Sequence, residues 1–240
     1  MIHRLKLLIV FLIAFASLAA ASPSTLTYRQ EVGFEENVGQ FPKDVLFRAR
    51  TGQMHVYVHP TDLRIALPVS RIEQPSFDFV QVAFAGANDD SSVHPMKRLP
   101  GTKRYFRAAD TSLADISSYA RVALRKLYDN IDLEVYAQSE EIEFDLIVHP
   151  GGDPSRVRIT TGQAPVSVDA NGDLLIRGSS GTTLRVKAPT AYQVLDGKRH
   201  VIASSYLIQA DRSISFRIEP YDRTRSRHRP HPRLCYLRRR

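Results

Sequence analysis

From residue 54 onward, apolar and polar side chains alternate in short runs that never settle into a sustained helical period, and turn residues separate the runs. Met54-His55-Val56-Tyr57-Val58-His59, the stretch 63–67 and Phe77-Asp78-Phe79-Val80-Gln81-Val82-Ala83-Phe84 place every second residue on one face, as strands do. A second series runs through 121–124, 131–136, 142–148, 157–160, 166–168, 174–176 and 184–187; the stretches 192–195, 201–208 and 214–218 complete it. Thr51-Gly52-Gln53 and Pro60-Thr61-Asp62 are short enough to turn the chain back, and Asn171-Gly172 and Asp196-Gly197 predict type I′ hairpin turns. The expected fold is all-β: an antiparallel β-sandwich or two packed β-rich lobes. Helix is expected almost nowhere outside the N-terminal segment; 110–116 offers one short helical turn, capped by Asp110 or Ser112.

The N-terminus reads as a signal peptide over residues 1–21: Arg4 and Lys6, an apolar run from Leu7 to Leu18, then Ala19-Ala20-Ala21 as a cleavage site. The run of about fifteen apolar residues is shorter than the roughly 20 that a membrane-spanning helix needs, so no span is expected after cleavage. The formal charge of +8 is carried by the last eighteen residues, which hold eight arginines and no acid. Without them basic and acidic residues are equal in number, which argues against a nucleic-acid surface on the body and leaves only the tail for it. The domain reading is therefore a signal peptide (1–21), a β-rich exported domain (22–222) with a sub-boundary near 87–118, and a basic, disordered tail (223–240). Cys235 is the sole cysteine, so disulfides do not hold the fold together. The expected location is secreted, periplasmic or at the cell surface.

No catalytic residue, metal site or cofactor is assigned. Glu141, Glu143 and Asp145 alternate with Ile142, Phe144 and Leu146, with neighbouring acids about 7 Å apart along a strand. That spacing overlaps the carboxylate separation of glycosidases, but any strand with a solvated acidic face meets it. Asp169-Ala170-Asn171-Gly172-Asp173 has alternating oxygen ligands, yet Leu174 and Ser180 stand where a calcium loop needs glycine and glutamate. His55 and His59, about 13 Å apart on a strand, cannot share an ion, and His94, His149 and His200 are isolated; surface or loop histidines are expected. There is no G-x-S-x-G, P-loop or G-x-G-x-x-G, and Gly178-Ser179-Ser180-Gly181 reads as a hairpin loop. Tyr57, Tyr105, Phe106, Tyr136 and Tyr192 are expected in the core, with a sugar-stacking face as the alternative.

Six segments in order carry a resemblance: Phe34-Glu35-Glu36-Asn37-Val38-Gly39-Gln40, Leu99-Pro100-Gly101, Tyr128-Asp129-Asn130-Ile131-Asp132-Leu133, Ile142-Glu143-Phe144-Asp145, Pro150-Gly151-Gly152-Asp153-Pro154 and Pro189-Thr190-Ala191-Tyr192-Gln193. Together they resemble the domain of unknown function at the N-terminus of bacterial SBBP proteins, exported proteins with β-propeller-type repeats. The resemblance departs at Arg104-Tyr105-Phe106-Arg107, where an Asn-Tyr-Phe followed by glycine is expected. It implies a non-enzymatic, exported structural or adhesive module, the truncated N-terminal part of a larger cell-surface protein. A carbohydrate-binding module is the alternative, and a glycosidase using Glu143 and Asp145 the remote one. Partners would be surface glycans or other envelope proteins. The resemblance also implies that the chain after Tyr221-Asp222 continues into a V-I-D-P strand. Codons exist for residues 227–239 that, read one nucleotide later, spell V-I-D-P-I-L-V-Y-A-T-Y-V-G, so the tail is expected to follow a frameshift near Ser226. The competing expectation is a genuine polybasic arm that binds phosphates.

Overall fold

The computed structural model describes residues 32–69, 76–107, 110–138, 141–195, 197–221 and 236–238, with side chains at 106–114, 138 and 236–238 outside the description. The expected signal segment, Cys235 and the position of the expected frameshift lie outside the described residues. The described residues belong to one compact unit.

All-β is what the chain folds into. The strands are β1 (Phe34–Glu36), β2 (Phe47–Thr51), β3 (Met54–Val58), β4 (Asp62–Val69), β5 (Ser76–Ala85), β6 (Ser92–Arg98), β7 (Lys103–Arg107), β8 (Asp110–Ile116), β9 (Ser118–Tyr128) and β10 (Ile131–Gln138). They continue through β11 (Glu141–Val148), β12 (Arg158–Thr160), β13 (Val166–Val168), β14 (Leu174–Arg177), β15 (Thr183–Val186), β16 (Ala191–Leu195), β17 (Lys198–Ile202), β18 (Ser204–Ile208), β19 (Ile214–Ile218) and β20 (Tyr236–Arg238). The main antiparallel path runs β13-β14-β15-β20-β11-β10-β9-β1-β2-β3-β4-β5-β12-β19-β18, with β6 beside β9; β7–β8 and β16–β17 are separate hairpins. β9 joins the two halves of the path: Ser118 and Tyr119 pair with β1, while Arg121, Val122, Ala123, Leu124 and Tyr128 pair with β10.

Side chains from both halves fill one core. Val56, Leu63, Ile65 and Val80 meet Leu124, Leu133, Ile142 and Phe144, and Leu174, Ile176, Leu184 and Val186 join the same cluster. Burying a side chain of this kind contributes about 1.5–3 kcal/mol, so a shared core holds the halves together. β5 alternates strictly along its length, while the apolar pattern of its sequence shifts by one residue between Phe79 and Val80. Val80, Val82 and Phe84 point inward, but so does Asp78, while Phe77 and Phe79 are 42% and 62% exposed.

Asp78 is buried and fully engaged. Its Oδ1 accepts from the Ser179 amide and hydroxyl, and its Oδ2 from the Ser180 amide, the Ser180 hydroxyl and the Thr182 hydroxyl. Burial alone would push its carboxyl up; these donors outweigh it and hold the group well below the usual carboxylate range. The expected hairpin loop between β14 and β15 is thus also the receptor of a carboxylate from the other half of the path. Gly178 has to be glycine here, because a Cβ would collide with the Asp78 carboxylate.

Two expectations are corrected. Residues 110–116 form β8, not a helical turn, because they pair with β7 from Lys103↔Ile116 to Arg107↔Asp110, and Arg104 meets Asp115 at 2.8 Å. The described residues' single helical turn is instead the 3-10 turn Pro154–Arg156, capped by Asp153. Asn171-Gly172 turns a hairpin as expected, but only Gly172 has positive φ, so the turn is not type I′. The Asp169 carboxylate accepts from the Asn171 and Asp173 amides and sets a three-residue loop with a glycine bulge. The stretch 201–208 divides into β17 and β18. In the tail, where disorder is expected, Tyr236–Arg238 is a strand paired with β11 and β15.

Replacing Gly178 by alanine should cost about 1–3 kcal/mol through overpacking against Asp78. Thermal unfolding of the variant checks this; at roughly 2–4 °C per kcal/mol for a domain of this size, a midpoint lower by several degrees is expected.

Candidate functional site

The segment Glu35-Glu36-Asn37-Val38-Gly39-Gln40 builds its own loop between β1 and β2. Asn37 Oδ1 accepts from the Gly39 and Phe41 amides, and its Nδ2 donates to the Pro42 and Val45 carbonyls. Gln40 closes the turn from the other side: Oε1 accepts from the Val38 amide, and Nε2 donates to the Glu36 carbonyl at 2.6 Å. Gly39 has φ 107°, a backbone that other residues rarely adopt. The loop aims Phe41 at the outer face of the sheet.

On that face, Arg48 presents its guanidinium 4.5 Å from the Phe41 ring centre. Arg48 Nη2 donates to Glu35 Oε2 at 2.9 Å and to the Tyr105 hydroxyl at 2.5 Å, the Tyr105 hydroxyl donates to the same Glu35 oxygen at 2.6 Å, and Lys103 Nζ reaches Oε1 at 2.7 Å. Burial would raise the Glu35 carboxyl, but Lys103, Tyr105 and Arg48 lower it, so it stays charged. Glu35 therefore anchors the β7–β8 hairpin through Lys103 and Tyr105. Tyr105, in turn, is pushed up by burial and by its bond to Glu35.

Five rings follow one another across this face. Tyr105 meets Phe41 edge-on at 6.4 Å and Phe41 meets Tyr57 at 6.4 Å; Tyr57 stacks on His55 at 6.3 Å, and His55 meets Phe77 at 5.3 Å. Phe79, the most exposed phenylalanine among the described residues, shares their face two residues beyond Phe77 on β5. The pairing of β2 to β5 brings Arg48, Tyr57, Arg64 and Gln81 into one row and Arg50, His55, Ala66 and Phe79 into the next. His55 Nδ1 and Arg48 Nε are buried without hydrogen-bond partners. Burial pushes the His55 pKa down, and Arg48 and Arg50 add to it, so the imidazole is neutral at pH 7. Beneath the same loop lies a cavity of about 400 Å³, walled by Phe41, Phe47, Val93 and Pro95, with Glu36 and Lys43 supplying charge. That volume is at the lower end of small-ligand pockets.

The acidic strand is a different surface. Ile142, Phe144 and Leu146 face the core as expected, yet Glu143 and Asp145 are only 4% and 3% exposed, which corrects the expectation of a solvated face. Asp145 accepts from the Tyr136 hydroxyl and lies opposite Glu134, which is bonded to Arg121. Glu143 Oε2 is buried with no hydrogen-bond partner. Burial raises the Glu143 pKa, Asp145 and Glu141 raise it further, and Tyr136 opposes them. The two acids stand side by side on one strand and take no part in lining the cavity, so they do not form an opposed pair across a cleft.

The remaining candidates disperse. Asp169 and Asp173 both bind Arg185, at 2.5 and 2.8 Å, which makes their loop an ion-paired hairpin. His59 is buried, contrary to the surface expectation, and desolvation lowers its pKa. His149 meets Asp132 at 2.8 Å, His94 meets the Ser92 hydroxyl, and His200 lies on the exposed β17. Among the described residues no group of three or more His, Cys, Asp or Glu side chains is arranged to hold a metal ion, and no helix is long and apolar enough to cross a membrane. Tyr136 is buried as expected for a core aromatic, whereas Tyr57 and Tyr105 belong to the ring row and Tyr192 lies under Arg199. The Phe106 side chain lies outside the described residues.

A family model described as Domain of unknown function (DUF7948) matches residues 34–226. The chain belongs to that family. No curated protein and no solved structure matches it. The DUF7948 match begins at Phe34, so the Asn37 loop, the Glu35 cluster and the whole ring row fall within it.

A Glu143→Gln variant should be more stable than the parent at pH 7 and lose that advantage near pH 4. The raised folded pKa makes the charged carboxyl costly above the unfolded value of about 4.3, and the cost vanishes once both states are protonated. Melting midpoints of both proteins at pH 4 and pH 7 check the sign.

Proposed function

We propose that this DUF7948 chain is an exported, non-enzymatic module of a cell-surface β-repeat protein of the SBBP type, and that it adheres to glycans through the ring-bearing face of β2 to β5. The row Tyr105, Phe41, Tyr57, His55 and Phe77, extended by exposed Phe79, carries the reading. Rings on a rigid sheet bury the apolar face of a sugar at little entropic cost, because neighbouring strands already hold them in place. Arg50, Arg64 and Gln81 stand on the same face, where their donors match sugar hydroxyls. Export is supported by the apolar N-terminal run that follows Arg4 and Lys6, and the surface-protein assignment by the order of the six sequence segments. The non-enzymatic reading is supported by the position of Glu143, the one carboxyl described as raised, which lies away from the cavity and beside an acid on its own strand.

Calorimetric titration with soluble glycans representing bacterial and host surfaces tests the proposal. Binding in the micromolar to millimolar range is expected, with Phe79→Ala and Tyr57→Ala each weakening it at least tenfold, about 1.4 kcal/mol. Absence of binding across the panel, or binding untouched by both substitutions, would overturn it.

A further inference from the structure

The junction between β11 and β15 has an unusual construction. Each is antiparallel to β20, so the two run parallel to one another with a single strand between them. Two parallel strands so separated stand about 9.5 Å apart, twice the usual strand spacing, and one further strand fills that gap. β20 does so without pairing to any neighbour in sequence: Leu237 lies opposite Ile142 on one side and Val186 on the other, Tyr236 opposite Glu143, and Arg238 opposite Arg185.

Both rims of this gap belong to the core. Ile142, Phe144, Leu184 and Val186 are at most 2% exposed. The register position of Leu237, between Ile142 and Val186, is therefore one where an apolar residue continues the buried layer. The alternate positions of β11 carry Glu141, Glu143 and Asp145. On the β15 side, Arg185 is already committed to Asp169 and Asp173, and Lys187 pairs with Glu141 at 3.9 Å. Glu143 Oε2, buried and without a hydrogen-bond partner, is the acceptor that this arrangement leaves over.

We propose that the gap between β11 and β15 is a strand-acceptor site for an extended peptide with an apolar residue at the Leu237 position and basic residues around it. The arginine-rich end of this chain supplies one such strand, and the same peptide offered from outside takes its place. The chemistry is strand addition: two sets of main-chain hydrogen bonds give affinity, while the apolar position and the acidic flank select the sequence. Charge complementarity favours a basic occupant, since an acidic strand would face Glu141, Glu143 and Asp145.

Amide hydrogen exchange on the full chain provides the test, with the segments around Ile142–Glu143 and Arg185–Val186 as reporters and those around Ile65 and Val80 as controls for the fold. Leu237→Pro and Leu237→Asp, each in the full chain, are expected to speed exchange at both reporters at least tenfold, with Leu237→Val close to the parent. Adding a synthetic peptide of residues 231–240 to either variant should restore protection saturably, and the same peptide carrying Leu237→Asp should not. If a variant loses protection at the controls as well, recovery on adding the peptide supports the proposal and failure to recover overturns it. Unchanged reporters in both variants, or protection restored equally by the Asp-bearing peptide, would likewise overturn it.

Discussion

One buried carboxylate closes this fold. The core alone leaves open how far β5 slides against the β14–β15 hairpin, because apolar contacts are not directional. Asp78 removes that freedom. Its two oxygens take five donors from a loop about one hundred residues further along the chain, and the loop in turn is shaped around it, with Gly178 leaving room. A buried charge so fully satisfied rigidifies its surroundings, whereas a half-satisfied one would weaken them.

The outer face inherits that rigidity. Because Asp78 turns inward, Phe77 and Phe79 on either side of it must turn outward, where they extend the ring row begun by Phe41, Tyr57 and His55. The same shift in the apolar pattern of the sequence thus locks the inside of β5 and furnishes its outside. Glu35 plays the corresponding part at the other end of the row, gathering Arg48, Tyr105 and Lys103 around one buried carboxylate. Structure and proposed adhesion are two sides of one sheet.

Alternation in the sequence is sufficient to place strands such as β3 and β11, and the turns at Gly52 and Gly172 are visible as glycines between apolar runs. It missed β2 and β6, whose residues mix arginine, histidine and proline with apolar ones and whose pairing is settled by neighbours far away in the chain. It missed the helical or extended choice at 110–116 for the same reason: partnership with β7 decides it. The candidate site was half legible. Tyr57 and Tyr105 stand out in the sequence as aromatics, but nothing local shows that His55, Phe41 and Phe77 line up with them, because that order arises from strand register and a loop. The segment Glu35-Glu36-Asn37 to Gln40 carried the family signal without revealing why; its amide and carboxylate groups fold the loop and anchor the site.

The most direct measurement is the unfolding free energy of an Asp78→Ala variant, compared with the parent protein at pH 7 and below pH 4. The Asp78 carboxyl is held well below its unfolded pKa, so its contribution is present above about pH 3.9 and fades as the pH falls toward the folded value. A loss of roughly 3 kcal/mol or more at pH 7, from charged hydrogen bonds worth about 1.5–3 kcal/mol each, and a smaller gap in acid are predicted. Equal stability of the two proteins at pH 7 would contradict the claim that this carboxylate closes the fold.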